Sequence, residues 1–469
     1  MIKIHLPAGF ESEKIYILTV LFKEFLGIDF AFQYHDKNVY KISLPNNKTL
    51  TLADHFFDID ESQWCLPSSL PKQPLPSFIF PDYIYGSHDN RAKQLPIIYG
   101  KYLDDGGWIN MSSNDVQLGV DIFGSAFFMM TRYEEVVKKT VDSHGRFPVE
   151  DSLAYQENFL DRPIINEYIE LLWACLKHLC PSLSRKPRNF SIKLSHDVDR
   201  PFGMFGKSFS QILRNVLGDI RHRKDPRLAM NRFFRYRAVS KGDCSKDVNN
   251  TFNFIMNVSE KHNLQSAFYF IAGKVKGSQF DSVYELDMPF IRMLMCEIYS
   301  RGHEIGLHPS YYSLDNPEQL ALEFAKLQQV ADEENIVQSR WGGRQHYLRW
   351  QAGKTWDQWA EVGIDYDSSL SYPGSVGFRC GVCFEFPVYS LPKRKILPLV
   401  ERPLVVMDCS LFDYMGLSFE QAFNKVVMLA EACKHYGGDM TILWHNSELL
   451  TRRERLFYAH LIEGVTNVQ

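Results

Sequence analysis

Five short segments of this chain carry residues able to do acid–base or metal chemistry. Ser195-His196-Asp197-Val198-Asp199 places two carboxylates two positions apart, directly after the strand-like run Ser191-Ile192-Lys193-Leu194. At a strand end that spacing points both side chains the same way. One carboxylate can then hold a metal ion while the other takes a proton from water; an Asx turn opening a loop is the ordinary alternative. His308 follows His303-Glu304-Ile305-Gly306-Leu307, and Arg344-Gln345-His346-Tyr347 follows Trp341-Gly342-Gly343. Asp367 follows Gly363-Ile364-Asp365-Tyr366, and His445 follows Thr441-Ile442-Leu443-Trp444. Histidine serves as metal ligand and as general acid or base, although a lone histidine is more often a hydrogen-bonded structural residue. Arg344 can grip a carboxylate with two parallel bonds, or form a surface ion pair.

The elements that position these residues follow a regular order. Strands at Phe190 to Leu194, Ser266 to Ile271 and Met440 to Trp444 alternate with helices. Helices are expected over Thr251 to His262, from Pro317 at N1 after Asn316, over Lys354 to Val362, and from the Ser418/Gln421 capping box to Gly437. Such alternation implies parallel strands with crossover helices. In a β/α barrel the C-terminal strand ends share one rim, where active sites lie. Five segments bringing His, Asp and Arg to one rim are hard to explain by packing alone.

The first half reads differently. A helix capped by Ser12 and stopped by Gly27 is its expected first element, followed by strands at Phe30 to Tyr34 and Val39 to Leu44. A Pro- and Ser-rich loop spans Pro67 to Pro96, one helix starts near Asp121, and another covers Ile164 to Leu179. The basic, Pro- and Ser-containing stretch 180–189 is the best linker. The chain therefore divides into an α+β N-terminal accessory domain, 1–185, and a larger α/β domain, 186–469. With 469 residues and a net charge of -4, it lacks the basic excess of a nucleic-acid binder. No apolar run reaches the roughly 18 residues of a membrane span, no signal peptide is read at the start, and nine scattered cysteines suit a reducing cytoplasm.

SHDVD, FYF, RGHEIGLHPS, RQHY and LWH, in this order over roughly residues 190 to 450, resemble the polysaccharide deacetylases of carbohydrate esterase family four. The resemblance implies a distorted (β/α)7 barrel after the smaller α+β domain, and hydrolysis of N- or O-acetyl groups on sugars with a divalent metal, often zinc. It makes Asp197 the general base, Asp199 and His308 metal ligands, Arg344 the group that orients the base, and His445 the general acid. The backbone N–H of Tyr347 would stabilise the oxyanion, and Tyr312, His346, Tyr347 and Arg349 would line the substrate site. Arg132-Tyr133-Glu134-Glu135 and Asp161-Arg162-Pro163 look characteristic of a bacterial branch with an extra N-terminal domain, without implying a chemistry.

The sequence departs from that pattern in two places. Tyr312 stands where the family has a second histidine four residues after the first, and His346 stands where many relatives have proline. His346 is the candidate for the missing nitrogen; a weakly held or absent metal is the alternative. The expected substrate is a sugar of a bacterial surface polysaccharide or its precursor. A glycan-binding pseudoenzyme and a cyclic-amide hydrolase resembling allantoinase are the rival readings.

Two features stand apart. Residues 207–241 hold ten Lys or Arg against two acidic residues, with Phe209, Ile212, Val216, Leu217 and Ile220 interleaved. They suit an anionic glycan, a lipid-linked phosphate or an acidic membrane surface, or else form a solvated basic loop. Cys380 and Cys383 form a C-x-x-C without two further ligands at sensible spacing, and are expected to be plain thiols.

Overall fold

A computed structural model describes residues 1–79, 94–273, 278–281 and 284–468. Part of the expected loop at Pro67 to Pro96, residues 80–93, lies outside the described residues. The chain forms two compact units: 1–189 with 351–357 and 377–403, and 190–350 with 358–376 and 404–469.

The first unit opens with a strand where a helix was expected. β1 (Ile2–Pro7) alternates buried Ile2, Ile4 and Leu6 with more exposed neighbours, the period of a half-buried strand. It pairs with β2 (Phe30–His35) and β3 (Val39–Ser43), followed by β4 (Thr49–Ala53); β5 (Ser77–Ile79) and β6 (Gln94–Pro96) pair separately. With β7 (Ile109–Met111) and β8 (Asp115–Leu118), the main sheet runs β2-β1-β3-β4-β8-β7. The first helix, Glu11–Leu18, starts after Phe10 in the left-handed region, so Ser12 is not its cap; the Ser12 hydroxyl donates to the Arg394 carbonyl instead. A π-helical stretch, Thr19–Leu26, continues it to Gly27. Asp121 caps the helix Ile122–Met130, and left-handed Arg132 separates it from Tyr133–Lys138.

The motifs singled out in this unit are packing devices. Buried Arg132 reaches Glu134 at 2.6 Å and Glu135 at 2.8 Å, and Arg379 binds the other Glu135 oxygen at 2.6 Å. The two guanidinium groups outweigh burial and hold the Glu135 carboxyl below its ordinary range. Arg162 pairs with Glu167 at 2.5 and 2.9 Å. Cys380 and Cys383 are buried and free, burial pushing the Cys380 thiol up to about 12, and among the described residues they join no candidate ligand group.

In the second unit β9 (Ser191–Val198), β10 (Ser266–Phe270), β11 (Glu304–Leu307), β12 (Gly342–Gly343) and β13 (Tyr366–Asp367) come in turn. After β14 (Phe386–Ser390) and β15 (Lys395–Glu401), a hairpin of the first unit, come β16 (Val406–Met407) and β17 (Asp439–Leu443). The order β13-β12-β11-β10-β9-β17-β16 is parallel throughout. Helices Phe252–Lys261, Pro289–Ser300 and Pro317–Glu333 make successive crossovers, and Phe419–His435 leads into β17 through its capping box. The fold is thus mixed α/β with seven parallel strands in this unit; among the described residues no ladder joins β13 to β16 to close a ring. Residues 207–241 form two helices, Phe209–Arg221 and Pro226–Val239, where a loop was the ordinary expectation.

β12 is packed closely against its neighbours. A Cβ on Gly343 would lie 1.9 Å from the Leu307 carbonyl, and one on Gly342 would lie 2.0 Å from the Tyr366 ring. Only glycine lets β11 and β12 approach so closely. These strands deliver His308 and Arg344, so the glycine pair sets the spacing between them. Gly343→Ala is expected to lower stability by about 1–3 kcal/mol through forced backbone displacement. Urea unfolding measures the loss, and a midpoint equal to that of the wild type would contradict the close-approach argument.

Candidate metal and catalytic site

The ends of β9, β11, β12 and β17 bring together Asp197, Asp199, His308, Arg344, His346 and His445. Asp199 lies at the convergence. Its Oδ1 is 3.0 Å from His308 Nε2 and 3.7 Å from His346 Nε2, and its Oδ2 is 3.7 Å from His445 Nε2. Ligand atoms of Asp199, His308 and His346 all fall within 4.8 Å of one another. The two carboxylates of the S-H-D-V-D segment both face His308, Asp197 Oδ2 standing 3.7 Å from its Nε2.

The remaining ring nitrogens are anchored. His308 Nδ1 is 2.6 Å from the Arg344 carbonyl. A carbonyl only accepts, so Nδ1 carries a proton and Nε2 is the nitrogen turned toward the carboxylates. His346 Nδ1 lies 3.4 Å from Asp281 Oδ1, an oxygen that also accepts from the Tyr311 amide. The rings of His308 and His346 sit 4.8 Å apart between centroids. Both imidazoles are almost fully buried.

Asp199 Oδ1 is itself buried, and it faces the Nε2 atoms of His308 and His346. A buried carboxylate oxygen among imidazole nitrogens requires positive charge, either protons on the rings or a cation. The electrostatics of the ion-free donors show the same demand. Burial opposes the charged forms, yet Asp199 and then Asp281 push His346 up to about 9, while His346 and His308 hold Asp199 well below the ordinary carboxylate range. Zinc bonds of about 2.0–2.1 Å at tetrahedral angles put neighbouring donors roughly 3.3–3.4 Å apart. The observed 3.0 and 3.7 Å bracket that separation. Two nitrogens and one carboxylate oxygen therefore fit a divalent ion, with Asp281 and the Arg344 carbonyl as the outer groups that commonly fix ligating imidazoles.

Arg344 is fully buried and makes four donor contacts. It donates to Asp197 Oδ1 at 2.7 Å, to the Ser195 hydroxyl at 2.8 Å, and to the Ser368 carbonyl and hydroxyl at 2.8 and 3.0 Å. On the other side, His445 Nδ1 lies 2.7 Å from Asp408 Oδ1, and its amide donates to Asp408 Oδ2 at 2.6 Å. Burial opposes protonation of His445, but Asp408 holds its pKa well above the usual histidine value.

The other expected residues fall into two groups. Tyr312 is 40% exposed, its ring 5.1 Å from that of Tyr311, which stacks on Phe280 at 4.0 Å. Tyr347 joins the same aromatic group, 5.3 Å from Tyr311, with a left-handed backbone (φ 60°) that a non-glycine residue adopts only under constraint. Arg349 is buried instead of facing the rim: its guanidinium lies over Tyr311 and binds the Tyr311 carbonyl and Asp315, tying down the turn Tyr311–Asp315. Asp367 is also enclosed, accepting from the Ser369 amide and hydroxyl, and burial raises its pKa. His196, kept neutral by burial at about 4, donates to the Trp444 carbonyl between β9 and β17.

Asp408 and Asp281 were not singled out in the sequence. Asp408 ends the apolar run Leu404-Val405-Val406-Met407, the same strand-end signal that marked His445. Asp281 lies in irregular chain between β10 and the next helix, where no periodicity marks it.

Residues 2–181 match a family model described as a family of unknown function (DUF7033). A comparison with curated proteins found no match. Among solved structures, similarity was found to candidate polysaccharide deacetylases of Mycobacterium smegmatis (14% identity, 60% of this chain and 85% of that one, TM-score 0.38) and Pseudomonas aeruginosa PAO1 (12%, 59% and 87%, 0.35). The chain is also similar to Puue allantoinase (11% identity, 59% and 87% covered, TM-score 0.34).

Removing the Arg344 guanidinium would leave Asp197 charged and buried. Arg344→Ala is expected to cost about 3–5 kcal/mol in denaturant unfolding, the usual penalty for breaking a buried pair from one side. A loss below about 1 kcal/mol would show that Asp197 does not depend on it.

Proposed function

We propose that this protein is a metal-dependent hydrolase of non-peptide C–N or ester bonds that deacetylates a sugar of a bacterial surface polysaccharide or its precursor. The observation that carries the proposal is the buried Asp199 oxygen facing two imidazole nitrogens whose rings are anchored from the far side. Asp199, His308 and His346 would hold the ion, with zinc the best match to this donor set. His346 thus supplies from a neighbouring strand end the nitrogen that Tyr312 does not. This favours an active enzyme over a glycan-binding pseudoenzyme.

A divalent ion held there would polarise the substrate carbonyl and make water more acidic. The chain's own groups supply the proton transfers. Arg344 occupies Asp197 Oδ1, leaving Oδ2 on the pocket side to take a proton from the attacking water. Asp408 fixes His445 through Nδ1, which directs Nε2 toward the site. From there Nε2 gives a proton to the leaving nitrogen as the C–N bond breaks, so water and amide become acetate and amine. The Tyr347 amide is the proposed oxyanion donor. Tyr312, half in solvent, offers a ring face on which a sugar can rest. The sugar itself is proposed from the order of motifs along the chain.

Acetate release from acetylated chitooligosaccharides tests the proposal. Asp197→Asn and His445→Ala should each lower kcat by ~10²–10⁴-fold, and Asp408→Asn by ~10–100-fold as a positioning change. Chelation should abolish turnover and zinc or cobalt should restore it. Turnover indifferent to chelation, or wild-type rates in Asp197→Asn, would overturn the mechanism. Opening of a cyclic amide without acetate release would move the same site to the allantoinase-like reaction.

A further inference from the structure

The helices Phe209–Arg221 and Pro226–Val239 have no part in the site chemistry, and their surface is unusual. Their inner faces are packed: Ile212, Leu228 and Val239 join Met204 and Val248 in one buried cluster. Arg232, buried on the second helix, binds Asp219, buried on the first, at 2.7 Å. The pair is therefore a fixed hairpin and not a loose basic loop.

The outer faces should be polar on a freely soluble surface, yet they are apolar. On the first helix Phe209, Leu213, Leu217 and Ile220 are 53%, 44%, 62% and 51% exposed. Their spacing of four, four and three residues makes one stripe. On the second, Met230, Phe233 and Phe234 are 57%, 46% and 70% exposed. The Phe209 ring lies 6.3 Å from Phe233 and 5.8 Å from Tyr236, so the two stripes meet. Around them Arg214, Arg221, Arg223, Lys224, Arg227, Arg235, Arg237 and Lys241 are all exposed. Among these, Arg223 is paired with Asp219.

We propose that this hairpin docks on an anionic membrane surface, lying in the interface with its apolar stripes inserted and its cations against lipid headgroups. An apolar face bordered by arginine and lysine is the composition of an interfacial helix, and the headgroup charge complements the excess of cations. No helix of the described residues is long and apolar enough to cross a membrane, which fits docking in the plane. Two alternatives share part of this chemistry: a soluble polyanion would use the cations and leave the phenylalanines wet, and a second copy of the chain would set like charges face to face.

Sedimentation of the full chain with vesicles tests the proposal. Vesicles of phosphatidylcholine alone are compared with vesicles containing phosphatidylglycerol, at low and high salt. Binding is expected only with phosphatidylglycerol and should fall as salt rises. Leu217→Asp with Phe234→Asp, and separately Arg214→Glu with Arg235→Glu, should each weaken it by at least about tenfold. All four positions are exposed, so the variants should keep the wild-type unfolding midpoint. No binding to phosphatidylglycerol vesicles would overturn the proposal, as would binding that both double variants retain. Capture by dextran sulfate without vesicle binding, or a dimer in light scattering that the apolar double variant dissolves while vesicles are not bound, would assign the surface to the alternative occupant. Acetate release in detergent-free solution should be unchanged in these variants, which separates this result from the fate of the proposed reaction.

Discussion

The candidate site is organised by one buried guanidinium. Arg344 follows β12, binds Asp197 and Ser195 on β9, and binds Ser368 just beyond β13. Its own carbonyl accepts from His308 beyond β11. One residue thus fixes the base candidate, the tautomer of a ligand candidate and the mutual spacing of four strand ends. Burying an arginine is costly unless its charge is paired and its donors are used, and here the four donor contacts are also the positioning contacts. The glycine pair before it allows the strands to come close enough for these bonds.

Around this frame two carboxylates perform the same service for two histidines. Asp281 holds His346 and Asp408 holds His445, each through Nδ1, so that both Nε2 atoms face Asp199. His308 is held by a carbonyl in the same way. Three imidazoles, each anchored through Nδ1, turn their Nε2 atoms toward one aspartate: His308 and His346 as ligand candidates and His445 as the acid candidate. On the proposed reading, His346 can serve in place of a donor at position 312 because consecutive parallel strands end side by side. A donor carried on one strand end would then be replaced by one on its neighbour without moving the place where an ion would sit.

Much of this was legible in the sequence because strand ends are marked chemically. An apolar run closing on His, Asp or Arg announced Asp197, Asp199, His308, Arg344 and His445, and the structure brings them together. The helices with Pro at N1 or a capping box were equally readable, since Asn316 and Ser418 make the bonds their types suggest. What stayed hidden depended on tertiary contact. Arg349 has the look of a substrate clamp but serves a turn, because its neighbour in space, Asp315, is distant in sequence. Asp281 lies in irregular chain with no pattern to mark it. β1 leaves little mark in the sequence because its six residues carry polar Lys3 and His5 between apolar ones, a period too short to register before the helix that follows. The break at Arg132 arises from a left-handed residue stabilised by Glu134 and Glu135, a network that becomes visible only once Arg379 is placed beside it.

The central claim is that Asp199, His308 and His346 hold one divalent ion. Zinc-edge X-ray absorption on the loaded protein addresses it most directly, because imidazole ligands leave a characteristic scattering pattern around a metal–nitrogen distance of about 2.0–2.1 Å. The account predicts two imidazoles in the wild type, one in a His346→Ala variant that binds zinc more weakly, and two in Tyr312→Phe. A single imidazole in the wild type, unchanged by His346→Ala, or a protein that retains no zinc at all, would contradict it.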